Sequence, residues 1–496
     1  MALGLIYLRI YVPFPTTLHP ARRQFRSLEE WLLSGKALGA GLRSVELGAE
    51  TRGRELLRLL LQAHVRRRGT GDVGPAVEHR PPGGGPPRTL PRLTNPRRLS
   101  LLTLFGRIAV ERVRYAARRG VSICPLDEQL QLPARAYSYV VQSRLVKRAV
   151  QGPFREAVDA LRESTGERIP LRSAQAILVD ASADFAAFYE HRARPPARSG
   201  PILVAAIDCK GIPMVRSEPA PRVVRRGKGE KANKKKMATV AAVYTMEPRV
   251  RTPQDVVGSL FDGEPAPARK GPQDKRVWAS LLAGKDAFVD DVVAEVDRRD
   301  SRKRKMRVVV ADGERALQLR MAKALPGAVL VLDLLHALEK VWSAAYVFHP
   351  EGSPEAQAFA RERALRILEG GVGQVVKGLR QMATKHGLRG PRRRTLLAAA
   401  GYLYRNRSRM QYHLYLARGL PIASGSVEGA CKNLVKDRME RSGMRWSPAM
   451  AEAMLKMRAV YLSGHLDGYW DYHVAQEQRR LHRQGAWRPI RGRAKE

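Results

Sequence analysis

The feature that most constrains the fold of this chain is a strand–helix–strand pattern in residues 306–336, MRVVVADGERALQLRMAKALPGAVLVLDLLH. Valines at 308–310 predict a buried strand, because β-branched residues favour that conformation. Apolar residues at helical spacing follow, Pro326 and Gly327 end the helix, and residues 328–332 form a second apolar run. This pattern predicts two parallel strands, and ligands of parallel sheets usually bind beyond the carboxyl ends of the strands.

Acidic residues stand at those ends. Asp312 follows the first strand of the unit and Asp333 follows the second, while Asp208 closes an earlier apolar run, ILVAAI. A carboxylate beside a hydrophobic strand is costly to bury without a partner. We therefore expect these acids to bind a cation or to handle a proton, and a helix-capping acid is the structural alternative for each of them.

The net charge indicates the kind of partner. The chain has 89 Lys and Arg residues against 47 Asp and Glu residues, for a net charge of +42. A compact protein with this excess repels itself unless a polyanion neutralises it, and nucleic acid is the polyanion we expect. An arginine-rich composition without a functional role is the alternative. Hydrophobic residues make up 44% of the chain, which is enough for folded cores.

Cysteine usage and hydropathy exclude other classes. Cys124, Cys209 and Cys431 are far apart in sequence, so we expect neither a disulfide framework nor a cysteine zinc site, and a reducing compartment fits. The apolar opening MALGLIYLRIYVPFP is short and is broken by Arg9 and Pro13, so it is not predicted to be a signal peptide. No later segment approaches the roughly 20 apolar residues of a membrane span.

The N-terminal part is predicted to be mainly helical. Residues 1–98 form a helical region followed by a Pro- and Gly-rich linker at 69–98, and a short hairpin is expected within 100–114. Residues 99–198 contain three predicted helices that resemble a helix-turn-helix DNA-binding region, with Arg168 and Arg172 near the start of the third. A helical bundle without a DNA-binding role has the same outline.

Residues 199–346 and 421–465 are predicted to form an α/β core. Strands are expected over ILVAAID, GIPMVR and MATVAAVYTM, followed by an amphipathic helix over residues 273–296 and then the strand–helix–strand unit. A basic loop between the second and third strands is expected to contact phosphate groups, with a solvated turn as the alternative. The predicted DNA-binding residues of the core are Arg225, Arg226, Lys228, Lys231, Lys234, Lys235, Lys236 and Lys432.

The remaining segments are a helical insertion and a tail. Residues 347–420 are predicted to be helical and to lie between the last core strand and a late helix that carries Glu428. The tyrosines of this block, interleaved with arginines, are expected to pack in a core and not to stack on bases. They are Tyr402, Tyr404, Tyr412 and Tyr415. Residues 466–496 are predicted to be a basic C-terminal tail, mobile in the free protein.

Three acids combine into a candidate metal site. Asp208 ends the first core strand, Asp312 ends the fourth, and Glu428 opens the late helix. This order of elements is that of a ribonuclease-H-like core, which brings the ends of the first and fourth strands together. Two Mg²⁺ or Mn²⁺ ions about 3.5–4 Å apart can then activate an attacking oxygen and stabilise a leaving one. Alternative third acids are Glu314, Asp437 and Glu440.

Four segments carry a family resemblance: AIDCKGIPM, VVVADGER, LDLLHALEKVWSAAYVFH and SGSVEGACKNLVKDRMERSGMRW. They resemble the core of bacterial insertion-sequence transposases of the DDE superfamily, in particular the ISKra type, over roughly residues 138–471. The resemblance implies that Asp208, Asp312 and Glu428 are the metal-binding triad. It also implies that Asp333 and His336 form a second motif that contacts DNA or shapes the active site. A packing histidine is the alternative for His336.

The resemblance implies a transposase that cleaves DNA at the ends of an insertion sequence and joins the 3′-hydroxyl to target DNA. Two metal ions per site, a homo-oligomer on the transposon ends and target duplex, and a bacterial cytoplasmic location near the nucleoid are the corresponding expectations. The alternatives are a structure-specific DNA nuclease and a catalytically inactive DNA-binding repressor derived from a transposase. An RNA-binding protein of the translation apparatus is a further alternative, but it does not explain the acids at the ends of the predicted strands.

Overall fold

The computed structural model describes residues 16–81, 85–117, 120–192, 199–215, 235–264, 271–482 and 485–490, except for the side chains of Thr16, residues 426–428 and Ser442. The protein has a mixed α/β architecture divided into two compact units. The first unit comprises Met1–Ile177 and Asp467–Glu496, and the second comprises Leu178–Leu466. The first unit is therefore assembled from both ends of the chain.

Residues 16–181 contain seven described α-helices and six described strands. The helices are α1 (His19–Leu32), α2 (Gly35–Leu38), α3 (Leu42–Arg67), α4 (Pro125–Gln129), α5 (Tyr139–Gln151), α6 (Phe154–Thr165) and α7 (Leu171–Ala181). The strands are β1 (Ala76–His79), β2 (Arg88–Pro91), β3 (Arg97–Thr103), β4 (Gly106–Arg112), β5 (Tyr115–Ala116) and β6 (Ser122–Ile123).

Helix α3 packs on the β3–β4 hairpin, which the alternating sequence predicted. Gln62 of α3 is buried and pairs with both backbone groups of Ala109 on β4, donating to the carbonyl at 2.8 Å and accepting from the N–H at 2.7 Å. These two hydrogen bonds satisfy a buried amide that would otherwise be costly. Val65, Ile108 and Val110 form the hydrophobic core beneath them.

The predicted helices of residues 137–188 are present, with one difference. Helix α6 ends at Gly166, whose φ of 75° is the left-handed conformation that favours glycine at a helix C-terminus. The predicted third helix is interrupted, because α7 ends at Ala181 and a separate helix begins at Phe185. The outline of two helices joined by a short turn is thus retained in α6 and α7.

The second unit contains a five-stranded sheet with helices around it. Its helices are α8 (Phe185–His191), α9 (Pro253–Phe261), α10 (Lys285–Arg299), α11 (Arg315–Ala324), α12 (Leu334–Phe348), α13 (Pro354–Leu368), α14 (Val372–Lys385), α15 (Gly390–Asn406), α16 (Tyr412–Ala417), α17 (Gly425–Ala430), α18 (Asp437–Met439) and α19 (Pro448–Leu462), with a π-helix at Cys431–Lys436. Its strands are β7 (Ile202–Pro213), β8 (Lys235–Met246), β9 (Gln273–Ser280), β10 (Met306–Ala311) and β11 (Val329–Leu332).

The strand order of this sheet is β11-β10-β7-β8-β9. Strands β11, β10 and β7 are parallel, whereas β8 and β9 join antiparallel on the other side. Residues 202–207 of the central strand β7 are all buried, which explains their continuous apolar run, since a central strand is covered on both faces. The predicted strand–helix–strand unit is present as β10, α11 and β11.

Two predictions for this sheet are wrong. The segments ILVAAID and GIPMVR were expected to be separate strands, but β7 runs without a break from Ile202 to Pro213 and pairs with β8 along its length. Residues 273–296 were expected to be one helix, but Gln273–Ser280 is the edge strand β9, and α10 begins only at Lys285. Gly284 separates the two elements as the N-cap of α10, and the buried Val277 and Trp278 favour the strand.

The block between β11 and α17 is helical, as expected, and its tyrosines differ in burial. Tyr412 and Tyr415 are buried and donate hydrogen bonds to the backbone carbonyls of Leu332 and Leu330 on β11. Tyr404 is exposed, with the guanidinium of Arg407 4.1 Å from its ring centroid. Packing in a core thus describes Tyr412 and Tyr415 but not Tyr404.

The C-terminal segment completes the first unit with α20 (Leu466–Leu481) and β12 (Trp487–Ile490). Strand β12 pairs antiparallel with β1, and β1 pairs with β2, so residues from both chain ends form one three-stranded sheet. The predicted linker at 69–98 thus contains β1 and β2, and the predicted mobile tail contains α20 and β12. No described helix is long and apolar enough to cross a membrane.

Candidate active site

Three carboxylates are aligned at one edge of the second unit's sheet by the register of its parallel strands. Ile207 on β7 pairs with Ala311 on β10, and Ala311 pairs with Leu332 on β11. The residues that follow these three are Asp208, Asp312 and Asp333. The three acids therefore lie at the same level of the sheet, Asp312 and Asp333 just beyond the carboxyl ends of β10 and β11, and Asp208 within β7, which continues to Pro213. The carboxyl ends of parallel strands are where ligands of such sheets usually bind.

Asp208 is half-buried, and both of its carboxylate oxygens accept hydrogen bonds. Its own neighbour, the N–H of Cys209, donates to Oδ1 at 2.7 Å, and the thiol of Cys431 donates to Oδ2 at 3.2 Å. Cys431 is the first residue of the π-helix that follows α17. This contact places the end of α17 against β7, next to the first candidate metal ligand.

Asp312 is electrostatically coupled to Asp208. Burial raises the pKa of Asp312 most, the negative charges of Asp208 and Glu314 raise it further, and the Glu314 N–H and His336 oppose these effects. Its Oδ1 accepts the Glu314 N–H at 3.0 Å. Two half-buried carboxylates that repel each other at a strand edge are stabilised when a cation neutralises them. The pair therefore has the chemistry of a site for a hard divalent cation.

Asp333 has a different role from the other two acids because it is completely buried. Its Oδ1 accepts the Leu335 N–H at 2.8 Å and so caps helix α12. Its Oδ2 accepts the backbone N–H of Ser424 at 2.8 Å and also the Ser424 hydroxyl. Ser424 immediately precedes α17, the helix that carries Glu428. Asp333 thus anchors the start of that helix to the sheet edge.

Substitution of Asp333 by Asn is expected to reduce stability by about 2 kcal/mol, because an amide NH₂ would face the two donors of Ser424 and leave them buried without an acceptor. Equilibrium urea denaturation measures this loss. Hydrogen exchange at residues 424–430 is expected to accelerate with it. Asp286→Asn, at a carboxylate whose side chain is 78% exposed, is the matched control. Equal stability of the two variants would contradict the anchoring role.

Glu428 lies in α17, between the anchor at Ser424 and the contact of Cys431 with Asp208. The structure describes the backbone of Glu428 but not its side chain. Within the described part of the chain, no group of three or more His, Cys, Asp and Glu side chains is placed to hold a metal ion. The three-carboxylate set of Asp208, Asp312 and Glu428 therefore stays a prediction.

The alternative third acids are engaged elsewhere or lie beyond α17. Glu314 forms an ion pair with Lys285, and its Oε2 is 3.7 Å from the Cys209 thiol sulfur. Glu440 forms an ion pair with Lys235 at 2.7 Å. Asp437 follows the π-helix at the start of α18. Lysines thus already neutralise Glu314 and Glu440, and Glu428 as the third ligand stays a prediction.

The helical block contributes residues to this edge that the sequence did not indicate. Tyr402 of α15 packs so closely on Gly313 that a Cβ at position 313 would overlap its ring. Its hydroxyl accepts a hydrogen bond from the Gly313 backbone, and burial together with Asp312 and Glu339 raises the pKa of Tyr402 to about 12. Gln318 donates to the Asp312 carbonyl at 2.6 Å and to Asn406 at 3.3 Å. The turn after β10 is thus held by α15.

His336 lies one turn into α12 and is half-buried. Its Nδ1 is 3.7 Å from a carboxylate oxygen of Glu339, and its charge lowers the pKa of Asp312. We call the carboxylates of Asp208, Asp312 and Asp333 the acidic edge. Both members of the predicted second motif lie at this edge, Asp333 as an anchor and His336 as a neighbour of Asp312. Contact of either residue with DNA remains a prediction.

The predicted DNA-binding residues are distributed over both units. Lys235 and Lys236 begin β8 and are exposed, as is Lys432 in the π-helix. Arg168 and Arg172 are exposed at the start of α7 in the first unit. The rest of the predicted basic loop lies outside the described residues, namely Arg225, Arg226, Lys228, Lys231 and Lys234.

Comparisons with known proteins add little to this geometry. No family model and no curated protein matches the chain. Among solved structures, the chain is similar to the Drosophila P element transposase strand transfer complex, with 10% sequence identity, covering 70% of this chain and 84% of that one, and a TM-score of 0.24. At that TM-score, the likeness carries no weight for the fold or function of this chain.

Proposed function

We propose that this protein is a DDE-type DNA transposase of the ISKra group, which cleaves DNA at the ends of an insertion sequence and transfers the 3′-hydroxyl to target DNA. The observation that carries the proposal is the placement of Asp208 and Asp312 at neighbouring positions on adjacent parallel strands. Burial, and to a smaller degree the negative charge of Asp208, raises the pKa of Asp312, which indicates a site that favours a bound positive charge.

The order of the strands supports a ribonuclease-H-like core. The central strand β7 has the parallel strands β10 and β11 on one side and the antiparallel strands β8 and β9 on the other. An enzyme of this kind needs the ends of its first and fourth core strands to be adjacent. In this sheet β7 lies beside β10, so Asp208 in the middle of β7 is level with Asp312 just beyond the end of β10, although the two acids are more than a hundred residues apart in sequence.

The residues that would hold two Mg²⁺ or Mn²⁺ ions are Asp208, Asp312 and Glu428. When bound, such ions activate the attacking oxygen and stabilise the leaving oxygen of a phosphodiester. Oxygen donors are the ligands these hard cations prefer, and the Asp208–Asp312 pair supplies four carboxylate oxygens. Asp333 positions the helix of Glu428 through Ser424, and α15 holds the turn that carries Asp312.

The positive charge of the chain supports DNA as the substrate. A net charge of +42 favours a polyanionic partner, and the exposed Lys432 follows Cys431, whose thiol contacts Asp208. Lys236 is exposed at the start of β8, and its neighbour Lys235 is paired with Glu440. Recognition of transposon ends by Arg168 and Arg172, assembly of a homo-oligomer on two ends, and a cytoplasmic location near the nucleoid are parts of the same proposal.

A strand-transfer assay tests the proposal. Purified protein is incubated with duplexes that carry the sequences flanking its own gene, labelled at the 5′ end of the strand to be transferred, and with an unrelated target duplex. We expect nicked products with free 3′-hydroxyls and joined products in Mg²⁺ or Mn²⁺, and neither product in EDTA. Cleavage without joining would favour the nuclease alternative. Salt-sensitive DNA binding without metal-dependent cleavage would favour the repressor alternative and overturn the catalytic proposal.

A further inference from the structure

A polar cavity lies in the second unit beside β9, the edge strand on the side of the sheet away from β10 and β11. It has a volume of about 420 Å³ and is bounded by the start of β9, the end of α19 and the residue after α8. Its lining residues are Arg192, Asp274, Lys275, Leu462, Ser463, Gly464 and His465. None of them belongs to the acidic edge described above.

A cluster of arginines surrounds one carboxylate beside this cavity. Glu295 of α10 is buried, and it forms ion pairs with Arg276, Arg298 and Arg299. Burial lowers the pKa of each of these arginines to about 10, so all three remain charged at neutral pH. One carboxylate cannot neutralise three guanidinium groups, and the excess charge is held where water is largely excluded.

The cluster is joined to the cavity lining by direct contacts. Arg299 donates a hydrogen bond to the backbone carbonyl of Asp274. The Arg276 guanidinium lies 3.6 Å from the centroid of the Tyr189 ring, and the Tyr189 hydroxyl is 3.0 Å from Nδ1 of His465. Asp274 and His465 both line the cavity, so the positively charged arginines lie one residue away from the cavity lining.

Several buried donors here have no acceptor among the described residues. They are Nε of Arg276, Nη2 of Arg299 and Nε1 of Trp278, and all three side chains are more than nine-tenths buried. Buried N–H groups are normally paired with protein or ordered water. These three side chains lie behind the cavity wall and do not line it. They therefore act on the cavity through their uncompensated positive charge, which favours an anion there.

Local features that oppose an anion are limited. The helix α19 ends at the cavity, but its last carbonyls accept hydrogen bonds from the backbone N–H groups of Ser463, Gly464 and His465. Asp274 contributes one carboxylate to the lining, and Asp291 interacts with Arg276 from α10. The five cationic side chains still outnumber the three acids around them. These cations are Arg192, Lys275, Arg276, Arg298 and Arg299.

We propose that this cavity is a phosphate-binding site, in which Arg192 and Lys275 contact the anion directly and the arginine cluster supplies the positive field behind it. A guanidinium and an ammonium group suit a phosphate, the first as a planar fork and the second as a point charge. Burial and the surrounding arginines lower the pKa of His465 to about 4, so this residue is neutral at pH 7 and serves as a hydrogen-bonding group. The site does not depend on the proposed reaction.

Isothermal titration with inorganic phosphate, at constant ionic strength set by chloride, tests the site in the full-length protein. We expect saturable binding to the wild type and at least a tenfold weaker affinity in the double variant Arg192→Gln, Lys275→Gln. Lys377→Gln, at an exposed lysine of α14, is the control and is expected to bind as the wild type does. Equal affinity in the double variant would overturn the proposal.

A variant that strengthens binding guards against loss of folding as the explanation. Asp274 has a φ of 47°, a left-handed conformation that Asn also adopts readily, so Asp274→Asn removes the opposing charge without new strain. We expect its affinity for phosphate to rise several-fold. An unchanged or weaker affinity would contradict the electrostatic model of the site.

The source of the phosphate is distinguished by competition. A short DNA duplex and a nucleoside monophosphate are each titrated in the presence and absence of saturating inorganic phosphate. If the cavity binds the DNA backbone, saturating phosphate will weaken duplex binding by the wild type but will not change duplex binding by the double variant. If it binds a free nucleotide or phosphate, only the small ligands will compete. Absence of binding by all three probes would refute the site.

Discussion

Asp208→Asn and Asp312→Asn are each expected to reduce metal-dependent DNA cleavage by on the order of 10³-fold or more, because each substitution removes an anionic metal ligand. DNA binding is expected to stay close to that of the wild type, since neither carboxylate attracts the phosphate backbone. The measurement is single-turnover nicking of a labelled duplex, with binding followed by gel shift in the same buffer. Glu428→Gln is expected to give the same loss if it is the third ligand.

The control for these variants is Asp286→Asn, which removes an acid from an exposed ion pair with Arg320 on the same unit. It is expected to cleave at the wild-type rate. Residual nicking near the wild-type level in Asp208→Asn and Asp312→Asn would remove the basis of the two-metal proposal. A loss confined to Glu428→Gln would mean that a different pair of acids holds the cation.

Glu295→Gln is expected to destabilise the second unit by about 3–5 kcal/mol, because it leaves three buried guanidinium groups without their common counter-ion. Equilibrium urea denaturation followed by tryptophan fluorescence measures the loss, since Trp278 is buried beside Arg276. Asp297→Asn is the matched control, because Asp297 lies on the same helix α10, is half-exposed and pairs with Arg307 of β10. It is expected to change stability by less than about 1 kcal/mol.

A small effect of Glu295→Gln would show that other groups already offset the charge of the arginines. In that case added phosphate should stabilise the variant strongly. If phosphate stabilises neither the variant nor the wild type, the phosphate site proposed above is refuted.

The central strands and their acids were predictable from sequence because the relevant signals are local. Valines at 308–310 and the run at 202–207 have the β-branched and apolar character of buried strands, and a charged residue ends each run. Adjacency of Asp208 and Asp312 required only the assumption of a parallel pairing, which the register of β7 and β10 satisfies.

Strand β9 was mistaken for a helix because its sequence is ambiguous over a short window. QDKRVWAS begins with polar residues, as an edge strand tolerates, and the apolar residues that follow run on toward the real helix α10. Periodicity cannot separate two short elements when only Gly284 and a few residues divide them. The pairing with β8 decides the conformation, and it is a tertiary contact.

The supporting residues of the acidic edge were not predictable for a related reason. Ser424, Tyr402 and Cys431 act through contacts with residues roughly 90 to more than 200 positions away, such as Asp333, Gly313 and Asp208. The only local signal is the glycine that follows Asp312, which has no side chain where Tyr402 packs. Such contacts follow from the packing of α15 and α17 on the sheet.

The pairing of β1 with β12 has a consequence for the order of events during synthesis. Ala76 is paired with Ile490, so the three-stranded sheet of the first unit lacks a strand until residue 490, more than 400 positions after β1, has left the ribosome. The second unit, Leu178–Leu466, is continuous and can acquire its own core before that moment. During synthesis the second unit would thus fold first, and the sheet that pairs β1 with β12 would form last.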